Sequence, residues 1–163
     1  MQNLYFCYDE SCFQKDSKKI ESIISQLQKP IVFTNGVFDI LHIGHVMYLY
    51  ESRKLGASLV VGINSNESAK LLKKGQNRPI IDEKDRAEII SALKPVDVCI
   101  LFNQKTPESL INNIRPEIYT KGSDYDENKI PFANTLKKMK IKTIFIPLLK
   151  NKSSTKIINK IKK

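Results

Sequence analysis

Cysteine is scarce in this chain: three in 163 residues, at Cys7, Cys12 and Cys99. An odd number without metal-type clustering excludes a disulfide framework. No histidine or second cysteine pair accompanies Cys7 and Cys12, so zinc is not expected there. Cys99 lies in an apolar run and reads as core. Long hydrophobic runs are also lacking; none approaches the roughly 20 residues that span a bilayer. The first residues, Met1-Gln2-Asn3-Leu4-Tyr5-Phe6, lack the basic start and apolar stretch of a signal peptide. A cytoplasmic protein with no membrane partner is the expectation. Acid is missing from residues 130–163, which hold ten lysines. The formal charge of +10 asks for an anionic partner. Few arginines accompany those lysines and no aromatics interleave the last stretch. They read as a solvated face, and nucleic acid is not an expected partner. Nor is there a P-loop: no G-x-x-x-x-G-K followed by Ser or Thr occurs.

What remains suits one folded domain, with 41% hydrophobic residues and the length to bury a core. Short, β-branched apolar runs at 31–34, 59–63, 98–102, 117–119 and 143–146 predict strands buried on both faces. Helices are predicted between them. Residues 44–55 carry Val46, Leu49 and Tyr50 on one side and stop at Gly56, a C-cap. Asp82 caps another helix, with Ala87, Ile90 and Leu93 at helical spacing. Thr106-Pro107-Glu108 reads as a helix start with a capping hydroxyl. Residues 131–139 and 154–161 complete the set. The pattern predicts an α/β fold with a parallel sheet covered by helices on both faces, over residues 29–163. Residues 1–28 read as an N-terminal extension with one amphipathic helix at 17–27; 1–16 show no clear period. That helix's apolar face would pack on its own domain or on a second subunit, as in a homodimer. Ligands of such sheets bind beyond the carboxyl ends of the strands, so the residues there are the ones to read.

After the first strand comes Thr34-Asn35-Gly36-Val37-Phe38-Asp39-Ile40-Leu41-His42-Ile43-Gly44-His45. The chain's only two histidines stand three apart at a helix start and share a face. Gly44 between them admits a ligand close to the backbone. The helix N-terminus adds free N–H groups and a positive dipole end. Thr34 and Asn35 add a hydroxyl and an amide. Together these residues predict a phosphate site. A metal site would need a third ligand, for which Asp39 is the candidate; the anion reading ranks first.

His42-Ile43-Gly44-His45 resembles the H-x-G-H signature of the cytidylyltransferase-like nucleotidyltransferases. Ser153-Ser154-Thr155-Lys156-Ile157-Ile158 matches their second landmark, a Ser/Thr cluster opening a late helix. The resemblance implies a single Rossmann-like nucleotidyltransferase domain. Within that superfamily the chain is most similar to heptose 1-phosphate adenylyltransferases. Three stretches carry this: the 34–42 segment, Lys73-Lys74-Gly75-Gln76-Asn77-Arg78-Pro79-Ile80 with Asp85-Arg86, and Arg115-Pro116-Glu117-Ile118-Tyr119-Thr120-Lys121-Gly122-Ser123-Asp124-Tyr125. Glycerol 3-phosphate cytidylyltransferases tend to carry an Arg-Thr-Glu-Gly run before the Ser/Thr cluster, where this chain reads Leu148-Leu149-Lys150-Asn151-Lys152.

The resemblance implies transfer of AMP from ATP to a heptose 1-phosphate, for synthesis of lipopolysaccharide core or a related surface glycan. It implies a magnesium ion held mainly by the nucleotide's phosphates and by no protein ligand directly. It also implies a heptose kinase and a phosphatase on separate chains. Catalysis would rest on His42, His45, Thr34 and Lys74. The nucleotide would meet Thr34, Asn35, Gly36, Phe38, His42, Gly44 and His45 at the first turn. It would meet Lys121, Gly122, Asp124 and Tyr125 at its base, and Ser153, Ser154 and Thr155 at its β- and γ-phosphates. Asp39, Asn64, Lys74, Arg78 and Arg86 would hold the acceptor. The rival readings are a glycerol 3-phosphate cytidylyltransferase, another small-phosphate enzyme such as a flavin mononucleotide adenylyltransferase, and a basic nucleic-acid-binding module.

Overall fold

The computed structural model describes residues 4–8, 13–72, 78–123 and 130–161. In chain order its elements are β1 (Leu4–Tyr8), α1 (Phe13–Gln26), β2 (Ile31–Gly36), α2 (Ile43–Arg53), β3 (Ser58–Asn64), α3 (Asn66–Leu71) and α4 (Glu83–Ser91). There follow β4 (Val98–Phe102), α5 (Glu108–Ile114), β5 (Ile118–Gly122), α6 (Ala133–Lys138), β6 (Lys142–Ile146) and α7 (Ser154–Ile161). The six strands form one sheet in the order β1-β4-β3-β2-β5-β6, and every pairing is parallel. No described helix is long and apolar enough to cross a membrane.

Strand alternation divides the core in two. Phe33 of β2 faces one layer, with Ile20 and Ile24 of α1, Leu110 and Ile111 of α5, and Leu136 of α6. Val32 faces the other, with Leu49 of α2 and Ala87 and Ile90 of α4. Both faces of β3 and β4 are buried throughout, which is why these strands are continuous apolar runs. Cys99 is a core residue as expected, and burial pushes its thiol pKa up.

The N-terminal segment holds more than one helix. β1 pairs with β4 at the sheet edge, from Leu4 opposite Val98 to Tyr8 opposite Phe102. Five residues are too few to show a period, so the partner strand defines this one. The helix at α3 was also not foreseen; Ser65 caps it, accepting from the Ser68 N–H at 3.0 Å. Asp82 caps α4 as expected. Thr106 does not cap α5: its hydroxyl donates to the Glu108 carboxylate, and Pro107 is the N-cap. Gly56 is not the C-cap of α2, which is Lys54. A Cβ at Gly56 would lie 2.5 Å from the Pro30 carbonyl oxygen, so glycine is needed for the chain entering β2 to pass.

Candidate active site

The strand order reverses between β2 and β5, and a cleft of about 490 Å³ opens there, beyond the carboxyl ends of the strands. Asn35 and Gly36 reach it from β2, Lys121 and Gly122 from β5, the two histidines from α2, and Ser153–Thr155 from the start of α7.

The turn from β2 into α2 is strained. Phe38 and Ile40 have φ of 51° and 48°, a region that a β-branched residue rarely enters. This backbone turns Asp39 inward, leaving it 3% exposed. Its Oδ1 accepts from the Ile80 and Ile81 N–H groups, both at 3.0 Å. Its Oδ2 pairs with Arg78 at 3.3 Å, and its carbonyl accepts from the Ser154 hydroxyl. Arg78 in turn donates to Thr155 Oγ1 at 3.0 Å. One residue thus ties the histidine turn to the 78–81 loop and to α7. Asp39, expected to bind acceptor, lines the cleft, and its oxygens are engaged by Arg78 and by the main chain of residues 80–81. Among the described residues no three His, Cys, Asp or Glu side chains gather as a metal site.

His42 and His45 stack with ring centroids 3.9 Å apart, and His45 meets Phe38 edge-on at 5.3 Å. A Cβ on Gly44 would lie 2.9 Å from two atoms of the His42 ring and 3.3 Å from Lys152 Cβ. Glycine is therefore required for the stack itself. His42 Nδ1 is buried without a hydrogen-bond partner among the described residues. Burial first, and the Lys152 charge second, lower the His42 pKa. By proton NMR, His42 is accordingly expected to titrate below the ordinary imidazole range. Inorganic pyrophosphate is expected to raise that pKa, because an anion in the cleft offsets the Lys152 charge and favours the imidazolium. A His42 resonance indifferent to pyrophosphate would place the anion elsewhere.

On the β5 side Lys121 Nζ donates to the Asn35 carbonyl at 3.0 Å, and the Tyr119 hydroxyl donates to Asn35 Oδ1 at 2.9 Å. The Asn35 amide is thereby oriented from behind. Phe38 sits over Gly36, where a Cβ would meet its ring at 2.9 Å. At α7, Ser153 Oγ accepts from the Lys156 N–H at 3.2 Å, while Ser154 and Thr155 make the links to Asp39 and Arg78.

Three expected site residues lie elsewhere. Thr34 is fully buried; its hydroxyl is 2.7 Å from the Tyr48 hydroxyl and donates to the Thr120 carbonyl at 3.1 Å. It links α2 to β5. Asn64 is 1% exposed and donates to Ser68 Oγ. Arg86 is also 1% exposed and neither reaches the cleft nor forms a surface ion pair. It donates to the carbonyls of Val37, Asn64 and Ile81 and to Asn66 Oδ1. Burial pushes its pKa down against the opposing charges of Asp39, Glu83 and Asp82. Lys74, Asp124 and Tyr125 lie outside the described residues. The cleft also contains Tyr48 and Lys152, which sequence reasoning passed over. For Lys152 a signal was present: it directly precedes Ser153.

The cytidylyltransferase-like family model matches residues 33–160. The D-beta-D-heptose 1-phosphate adenylyltransferase of Bordetella bronchiseptica is 43% identical over 137 residues, covering 84% of this chain and 85% of that protein. The bifunctional protein HldE of Campylobacter fetus is 46% identical over 134 residues, 82% of this chain but 28% of its own length. The chain therefore spans under a third of that bifunctional relative. The crystal structure of a lipopolysaccharide core biosynthesis protein from Thermoplasma volcanium superposes with a TM-score of 0.62 at 36% identity, over 75% of this chain and 98% of that one. A pantoate-beta-alanine ligase from Francisella tularensis shares the fold at 19% identity and a TM-score of 0.60, over 97% of this chain and 77% of its own. From the paired histidines at one end of the match to the Ser/Thr start of α7 at the other, this chain belongs to the cytidylyltransferase-like family.

Proposed function

We propose that this protein transfers AMP from ATP to heptose 1-phosphate, giving ADP-heptose and pyrophosphate for lipopolysaccharide core synthesis. One observation carries the reading. The chain matches a heptose 1-phosphate adenylyltransferase at 43% identity over 137 residues, 84% of this chain and 85% of that protein. The bifunctional relatives carry the corresponding unit as about a third of a longer chain. A kinase step supplying the sugar 1-phosphate, on that chain or a separate one, fits this arrangement.

The chemistry is an in-line displacement. An oxygen of the sugar phosphate attacks the α-phosphorus, and pyrophosphate leaves. The nucleophile is already anionic near neutral pH, so no strong base is needed. The barrier comes from bringing two polyanions together and from charge gathering on the transferred and leaving groups. The cleft answers with Lys121, Lys152 and Arg78, and the one carboxylate lining it among the described residues, Asp39, is paired with Arg78. His42 and His45 donate to α- and β-phosphate oxygens, and the start of α7 receives the β- and γ-phosphates. A magnesium ion brought with the nucleotide would add charge screening to that of Lys121, Lys152 and Arg78.

The test is pyrophosphate release from ATP or CTP with either heptose 1-phosphate or glycerol 3-phosphate as acceptor. Turnover is expected with ATP and heptose 1-phosphate. Turnover only with CTP and glycerol 3-phosphate would keep the displacement and overturn both substrates.

A further inference from the structure

Among the described residues three cations line the cleft, and they differ in how they are held. Arg78 is fixed by Asp39 and Thr155, and Lys121 by Asn35. The Lys152 side chain makes no hydrogen bond or ion pair among the described residues; its main-chain N–H donates to the Leu149 carbonyl at 3.4 Å. Its Cβ stands 3.3 Å from the place a Cβ would occupy on Gly44, directly over the first turn of α2. One residue further along is Ser153, whose hydroxyl closes the first turn of α7. The Lys152 side chain thus rises where the N-termini of α2 and α7 converge. Both helix ends are partially positive, and His42 beside them feels the lysine's charge. A cation among these groups is unfavourable until an anion arrives. An exposed lysine free to swing into solvent is nevertheless set against the His42 stack.

We infer that Lys152 is a catalytic residue of the transfer: its ammonium group meets the β- and γ-phosphates and stabilises the charge gathering on pyrophosphate as it leaves. The inference rests on the nucleotidyl-transfer reading of the cleft. The acceptor oxygen forms the new bond to the α-phosphorus, the bond to the bridging oxygen breaks, and its electron pair stays on pyrophosphate. Lys152 remains protonated throughout and transfers no proton. Its chain neighbour Ser153 and the α7 dipole receive the same phosphates, which is why the lysine is assigned to the leaving group rather than to the acceptor.

The experiment compares wild type, Lys152→Met and Lys152→Arg by calorimetric titration with inorganic pyrophosphate and, separately, with AMP. Turnover of ATP with heptose 1-phosphate is measured alongside. The side chain is exposed, so all three proteins are expected to melt together. Lys152→Met is expected to weaken pyrophosphate binding by about 10- to 100-fold, the worth of a hydrogen bond from a charged donor. AMP binding is expected to stay the same, kcat to fall, and Lys152→Arg to recover most of both losses. Equal pyrophosphate affinity in wild type and Lys152→Met overturns the assignment of Lys152 alone. A wild type that binds pyrophosphate, with Lys152→Met impaired, but turns over no heptose 1-phosphate overturns the acceptor and leaves Lys152 in place. A wild type that binds neither ligand overturns both.

Discussion

His45→Ala is expected to lower kcat for pyrophosphate release by about 10²–10³-fold, the usual cost of one preorganised donor. The expectation follows from where the ring stands. His45 stands on the first turn of α2, half-buried, stacked on His42 and edge-on to Phe38. Those contacts fix its direction, and the ring stands at the margin of the core, against Phe38. The thermal midpoint is therefore expected to fall by only a few degrees. A ring aimed at charge that exists only in the transition state changes kcat, whereas one that merely helps to hold ATP changes KM. His45→Gln, which keeps an N–H donor and loses the ring, is expected to recover part of the rate. A variant with unchanged kcat and a raised KM would make His45 a ground-state nucleotide ligand.

The histidine turn and the Ser/Thr start of α7 were legible because their chemistry is local. A histidine pair on a helix start, or hydroxyls at a helix N-terminus, carry their geometry in their spacing. The strands were legible for a related reason, since β3 and β4 are buried on both faces and contain little but apolar residues. Thr34, Asp39 and Arg86 were not. Thr34 and Asp39 are polar residues at or just after the end of β2, and Arg86 is a cation on α4; for each, a ligand contact is the natural reading. Their actual partners are far along the chain: Thr120 for Thr34, Ile80 and Ile81 for Asp39, and Val37 for Arg86. Most of those partners are main-chain groups, which leave no mark in a sequence. Residue type shows that a group wants hydrogen bonds; only the fold shows whether substrate or protein supplies them.

The same distinction fixes the largest expected loss of stability. Arg86→Leu is expected to cost about 3–5 kcal/mol of unfolding free energy, because several buried acceptors lose their donor at once. Arg86 Nη1 donates to the Val37 carbonyl at 2.5 Å and to the Asn64 carbonyl at 2.8 Å. Nε serves the Ile81 carbonyl and Nη2 the Asn66 amide oxygen, each at 3.0 Å. These acceptors lie on the turn after β2, the end of β3, the 78–81 loop and the start of α3. One planar guanidinium therefore fastens four segments to one another. Leucine fills the volume but leaves every acceptor unpaired, and water has little access to a site 1% exposed. Lysine keeps the charge without the fork and is expected to recover less than half of the loss. For a chain of this length the leucine variant's midpoint should fall by roughly 10 °C, read by thermal and urea unfolding. Activity should fall as well, at temperatures where the variant remains folded, because Val37 adjoins Gly36 at the cleft wall. A loss below about 1 kcal/mol would mean that the strand ends are held by the sheet alone. An intact midpoint with lost turnover would instead return Arg86 to the substrate, where its charge first suggested it belonged.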